Sequence, residues 1–422
     1  MTFTFLRLFP LLVFILVWMI QIILYIFNPY NFDTINSQTW RIIFFSIYTF
    51  IMGYLTYLLL LDNTNSNKKK FDDILILNLP AIKKWILICS LISSITLVII
   101  YIYLSKLIGG FGTLFQNKLS FREIIIYIVK TSAVNWNFLF SILLYIFNFN
   151  YIALVLSGIY FVNIKKKDLV IFLPLINSLI YSILTFQRFT FIQSLVFWFF
   201  INYVSIFFSE KSLRRKKLYS LLKSILFAIP LILIIIVAIV FFRIEFKGPK
   251  IDYIITTKYA LSSIYTYIAG NIVALDKFLI NFFDFNWGAS TFRSFLKWFA
   301  RFGLFNPEDV QGTHNEFVNI GPFGLNTYTY LRPFYEDFGV YSVLLYSYLW
   351  GALSALSIEK IIEKFSLLRL HIATFIFFSI FMSFFNFAFI NVTLFLYFGI
   401  LIWFADNLGL KNYIKPTDVF NI

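Results

Sequence analysis

The sequence predicts an all-α, polytopic membrane protein: a bundle of about ten transmembrane helices (ten by apolar run length, within a range of 10–12) with one long polar loop late in the chain. Three observations predict it. The chain is 60% hydrophobic and 13% charged, with a mean hydropathy of +0.83, whereas soluble domains average about 45–50% apolar and about 25% charged. Its apolar residues fall into runs near the roughly 20 residues that a spanning helix needs. Its basic residues gather in short clusters between alternate runs.

The runs lie near 5–27, 41–61, 85–107, 137–162, 169–187, 189–208, 219–242, 338–357, 370–387 and 389–406. The stretch 121–135 is too short and too polar to span and reads as an interfacial or re-entrant piece. The first run follows Arg7 without a small-residue cleavage site, as in a retained helix rather than a signal peptide. If ten helices alternate, the clusters Lys68–Lys70 with Lys83 and Lys84, Lys165–Lys167, Lys211 with Arg214–Lys217, Lys360 with Lys364 and Arg369, and Lys411 with Lys415 all fall on one side. Positive residues mark the cytoplasmic face, so both termini are expected there; in a bacterium the opposite side is the periplasm. The chain then divides into helices one to seven (1–242), a large periplasmic loop (243–336), and helices eight to ten with a cytoplasmic tail (337–422).

A net charge of +15 invites a nucleic-acid partner. The clustering excludes it: short basic groups between spans set orientation and meet anionic membrane lipid instead. The lone cysteine, Cys89, excludes an intrachain disulfide. No Asp-x-Asp metal motif appears, and neither a metal nor another cofactor is expected. The halves of the chain do not mirror each other, which argues against the inverted repeats of many transporters.

The segment 243–336 is too long for a bare connection and too aromatic for disorder. Arg293, Lys297 and Arg301 recur every fourth residue, which aligns them on one helix face. Phe292, Phe295, Leu296 and Phe299 fall towards the other face. This is the pattern of an interfacial amphipathic helix. Its basic stripe serves either to snorkel towards headgroups or to dock a diphosphate, whose oxygens match the arginine fork. Residues 257–281 form a second amphipathic helix, with Ile264, Ile268, Ile272, Leu275 and Leu279 at helical spacing, expected on the membrane surface.

The stretch 312–339 packs His314, Glu316, Arg332, Glu336 and Asp337 into a window broken by Gly321, Pro322, Gly324 and Pro333. Asp337 sits at the mouth of an apolar helix. It can cap that helix or serve as a catalytic acid or base, and His314 can be a surface loop residue or a base. Arg188 stands in the short turn between the fifth and sixth runs. An arginine there either snorkels or holds an anionic head group.

The string Asn326-Thr327-Tyr328, followed by Tyr335-Glu336-Asp337-Phe338-Gly339 at a helix start, resembles the signature of Wzy-type O-antigen polymerases. The lone Arg188 in a tight turn and the layout with a large late loop are similar to that family as well. The resemblance implies a metal-independent glycosyltransferase acting on undecaprenyl-diphosphate-linked oligosaccharides, which often works beside a chain-length regulator protein. It implies that Asp337, Glu336 or His314 takes a proton from an acceptor hydroxyl. It also implies that Arg188, Arg293, Arg301 and Arg332 hold the leaving diphosphate, with Asn326 and Tyr335 in the substrate site. An O-antigen ligase shares this layout. A flippase or transporter of lipid-linked sugars is the non-enzymatic competitor, and it would place more ionisable residues inside the helices than this chain does.

Overall fold

The computed structural model describes residues 3–64, 74–107, 142–164, 168–185, 188–209, 213–224, 253–282, 284–293, 317–321, 323–386, 398–403 and 414–417, with a few single positions between them. The chain is a helical membrane protein. Among the described residues six helices are long and apolar enough to cross a bilayer: Thr4–Phe27, Ser37–Leu60, Leu79–Tyr103, Ile142–Asn163, Phe189–Phe207 and Val340–Glu363. Each overlaps an expected run. The runs 169–187 and 370–387 appear as shorter apolar helices, Leu169–Leu184 and Leu367–Phe381. Most of 219–242 and 389–406, and all of 121–135, lie outside the described residues.

Compactness divides the chain into two units. One is Met1–Lys70 with Ser262–Gly399, and the other is Phe71–Leu261 with Ile400–Ile422. This is a different cut from the division by topology.

The second unit holds β1 (Ile74–Leu77), α3 (Leu79–Leu107), α4 (Phe149–Asn163), a 3-10 turn (Leu169–Phe172), α5 (Leu173–Thr185), α6 (Arg188–Phe207) and β4 (Ile414–Thr417). β1 pairs antiparallel with β4, Ile74 opposite Thr417. The helices are joined by buried amides and hydroxyls, as interhelical packing between apolar spans favours. Asn150 Nδ2 donates to Ser178 Oγ at 2.9 Å, and Asn177 Nδ2 donates to the Ser90 carbonyl at 2.9 Å. Ser94 Oγ donates to Asn177 Oδ1 at 2.9 Å. Lys217 Nζ donates to the Phe161 and Ile164 carbonyls at 2.8 and 2.7 Å, placing a cation at the negative end of α4.

The first unit holds α1 (Phe3–Phe27), α2 (Ser37–Thr64), most of α7 (Tyr253–Asn281), β2 (Val318–Ile320), β3 (Phe323–Leu325), α8 (Leu331–Phe338), α9 (Val340–Glu363) and α10 (Leu367–Phe381). α2 and α9 touch backbone to backbone. A Cβ on Gly53 would overlap the Tyr348 carbonyl oxygen, and one on Gly351 would overlap that of Phe50. α1 runs against both, with Arg7 near its start beside Glu359 near the end of α9. An aromatic stack fills the middle: Phe14 on Phe50, centroids 3.8 Å apart, and Tyr330 against Trp18 and Trp350 at 5.8 and 4.8 Å.

The amphipathic segment 257–281 is the helix α7. Within the first unit the middle of α7 is enclosed by neighbouring segments. Asn271–Asp276 are all buried, together with Ala269. The small residues Ala269, Gly270 and Ala274 allow neighbours on several sides. A Cβ on Gly270, for example, would strike the Ile320 side chain. Polar ties complete the enclosure. Asn271 Nδ2 and Gln21 Nε2 both donate to the Phe384 carbonyl, at 3.0 and 3.1 Å. Asp276 Oδ1 accepts from the Asn36 N–H and the Thr39 hydroxyl at 2.9 and 2.6 Å, capping the start of α2.

Candidate functional site

The short helix α8 is the sequence LRPFYEDF, Leu331–Phe338. Pro333 is tolerated because the first amides of a helix have no intrahelical acceptor. Gly339 ends the helix with φ +67° and a hydrogen bond from its N–H to the Tyr335 carbonyl. That backbone conformation favours glycine, and α9 starts directly behind it. The break turns α8 away from the line of α9.

Arg332 and Glu336 are four residues apart, so they share a face. Arg332 Nε donates to Glu336 Oε1 at 2.7 Å. The guanidinium also lies over two rings, 4.0 Å from the Tyr328 centroid and 4.5 Å from that of Phe278. Arg332 and Glu336 are each 3% exposed, and Arg293 is 7% exposed. Burying such charges is expensive unless they are paired. The opposing charges of Arg332 and Glu336 act on Arg293 as well.

Asp337 is fully buried. Its Oδ1 accepts from the Ser290 N–H at 2.9 Å and its Oδ2 from the Thr291 N–H at 3.0 Å. It therefore caps the turn that leads into Arg293, not the helix that follows it in sequence. The same turn is held by the Asn286 N–H on the Glu336 carbonyl at 2.8 Å and by the Thr291 hydroxyl on the Pro333 carbonyl at 3.3 Å. Trp287 and Gly288 take up the bend with φ +48° and +93°. A tryptophan in that region is strained.

Burial pushes the Glu336 carboxyl above its ordinary range, against the pull of Arg332 and of the Ser290 hydroxyl. Burial also raises Asp337, against its hydrogen bonds from Thr291 and Ser290. Arg293 is pushed down by burial, with the negative Glu336 opposing. Two arginines and two carboxylates thus meet in a poorly hydrated place. Such a cluster can hold an anionic group and exchange a proton beside it.

Of the expected residues, the structure brings Arg293, Arg332, Glu336 and Asp337 together. Tyr335 is half-buried with its ring edge-on to Phe282, centroids 5.9 Å apart. Asn326 is half-buried just after β3. Its neighbour Thr327 donates to Asn271 Oδ1 at 2.7 Å. His314, Glu316, Lys297 and Arg301 lie outside the described residues. Arg188, expected in the turn before the sixth run, is the first residue of α6 in the second unit; its side chain and residues 186 and 187 lie outside the described residues. Of the basic stripe only Arg293 is described, and it points inwards while Phe292, Phe295 and Phe299 are exposed. The turn Ser290–Thr291 and the rings of Phe278 and Tyr328 were not foreseen. The run Asn-Trp-Gly-Ala-Ser-Thr at 286–291 carries a turn signal. Among the described residues no group of three or more His, Cys, Asp or Glu side chains is placed to hold a metal ion. No protein family model, curated protein or solved structure matches the chain.

Proposed function

We propose that this chain is a polymerase of lipid-linked oligosaccharides. It would join undecaprenyl-diphosphate-linked repeat units into O-antigen or capsule polysaccharide at the periplasmic face of a bacterial inner membrane. The observation that carries the proposal is the buried cluster of Arg293, Arg332, Glu336 and Asp337, the last three of which lie within 326–339, the stretch that resembles the polymerase signature. Ten membrane spans, both termini in the cytoplasm and segment 243–336 on the periplasmic side belong to the same proposal.

In the reaction the bond from the sugar anomeric carbon to the diphosphate oxygen breaks. A bond from that carbon to an acceptor hydroxyl oxygen forms, the lipid diphosphate leaves with the electron pair, and the hydroxyl proton passes to a carboxylate. Arg332 and Arg293 are the cations for the departing charge, with Arg188 and Arg301 proposed beside them. Glu336 is the favoured proton acceptor, because burial holds its proton affinity up. An incoming diphosphate would compete with it for Arg332. Asp337 has both oxygens engaged by main-chain amides, so it positions the turn that presents Arg293. His314 is the alternative base. Asn326 and Tyr335 would contact the sugars, and a chain-length regulator protein is the proposed partner.

The test is deletion of the gene in its host, followed by separation of the surface polysaccharide on a gel. A polymerase mutant shows core capped by a single repeat unit and no ladder. Loss of all capped product would instead identify a ligase or a flippase. Complementation with Glu336→Gln and Arg332→Ala should fail to restore the ladder while the protein stays in the membrane. Normal ladders from both would remove the cluster from the chemistry.

A further inference from the structure

At the opposite end of the first unit, α1, α2 and α9 enclose a recess of about 460 Å3. The geometry points to a binding site for a zwitterionic aminophospholipid, its phosphate on Arg7 and its ammonium on Glu359. Arg7 Nε lies 2.6 Å from Glu359 Oε1, with Nη2 donating to Oε2 at 3.0 Å. The arginine side chain is 31% exposed and the glutamate 4%, and both line the recess. The remaining wall is mostly leucine: Leu8, Leu55, Leu58 and Leu59. Leu55 and Leu59 also face outwards from the bundle.

Three features select the occupant. First, depth: the lining residues all sit within two turns of the ends of candidate spans, the level at which headgroups meet acyl chains. Second, size: the volume lies within the range of about 300–1,000 Å3 typical of small-ligand pockets. Third, charge: among the described residues that line it, the recess carries one cation and one anion. An anionic headgroup would meet Glu359 unfavourably. An ethanolamine headgroup matches both, and its ammonium N–H groups can donate to the carboxylate.

The full-length protein, purified in detergent, would be exchanged with phosphatidylethanolamine, phosphatidylcholine or phosphatidylglycerol at equal mole fraction. Retained lipid would then be counted by native mass spectrometry. Phosphatidylethanolamine should be retained roughly tenfold over the other two, the size of one charge-assisted contact. Glu359→Gln should erase that preference. Leu58→Phe, which fills the recess and leaves both charges in place, should lower retention of phosphatidylethanolamine to the level of the other lipids. Equal or greater retention of phosphatidylglycerol would overturn the assignment and leave Arg7–Glu359 a structural ion pair. So would an unchanged Leu58→Phe variant. If Glu359→Gln does not elute as a folded species, the lipid comparison and Leu58→Phe decide alone.

Discussion

At the scale of the residue, Asp337 and Glu336 are neighbours with different work. Asp337 holds two amides of another segment, and hydrogen bonds to a charged group contribute about 1.5–3 kcal/mol each. Asp337→Ala should lower stability by about 2–3 kcal/mol, read as a lower melting temperature in detergent. Asp337→Asn keeps one acceptor oxygen and should recover part of it. The pH dependence has a defined sign. Burial holds both carboxyls above their ordinary values of 4.5 and 3.8. The native protein therefore keeps protons that the unfolded chain releases, and this contribution favours folding most below those values. It is lost as pH rises from them through the raised native values. Glu336→Gln removes one of the two titrations, so its melting temperature should fall less steeply with pH over that window. An identical slope would assign the dependence to other groups. Arg332→Lys is a third probe: a lysine keeps the charge but not the planar fork between Glu336 and the two rings, so the polysaccharide ladder should shorten or vanish.

At the scale of the element, α2 and α9 are the pair to test. Gly to Ala in an exposed helix usually stabilises by about 1 kcal/mol. At Gly53 and Gly351 the added methyl would meet backbone of the partner helix, which cannot swing away as a side chain can. Both substitutions should destabilise instead, by about 1–3 kcal/mol, and thermal melts would show the reversed sign. The elements differ in how far sequence reveals them. The spans of α1, α2, α3 and α9 were legible because length and apolarity are local properties. The helix α7 was legible as a helix from the spacing of Ile268, Ile272, Leu275 and Leu279. Its enclosure was not, because Ala269 and Gly270 look the same in sequence whether a neighbour covers them or not. The pairing of Arg332 with Glu336 could be read from their spacing. The pairing of Asp337 with Ser290 and Thr291 could not, because its donors are main-chain amides some 47 positions away that no letter marks.

At the scale of the whole molecule, orientation in the bilayer is the expectation to measure. In a Cys89→Ser background, Asn319→Cys, exposed on β2, should react with an impermeant maleimide in spheroplasts. Lys364→Cys, at the far end of α9, should react only after permeabilisation. The reverse result would put the cluster on the cytoplasmic face and exclude a reaction on the exported substrate. The amide clasp on Asp337 has a consequence at this scale too. Any residue except proline brings an N–H to positions 290 and 291, so the clasp survives almost any change of letter there. It does not survive a change of length: one residue inserted between 282 and 290 would rotate both amides off the carboxylate and withdraw Arg293. Descendants of such a protein can drift far in spelling while conserving the count of residues around this turn, and it is by that count that they would know one another.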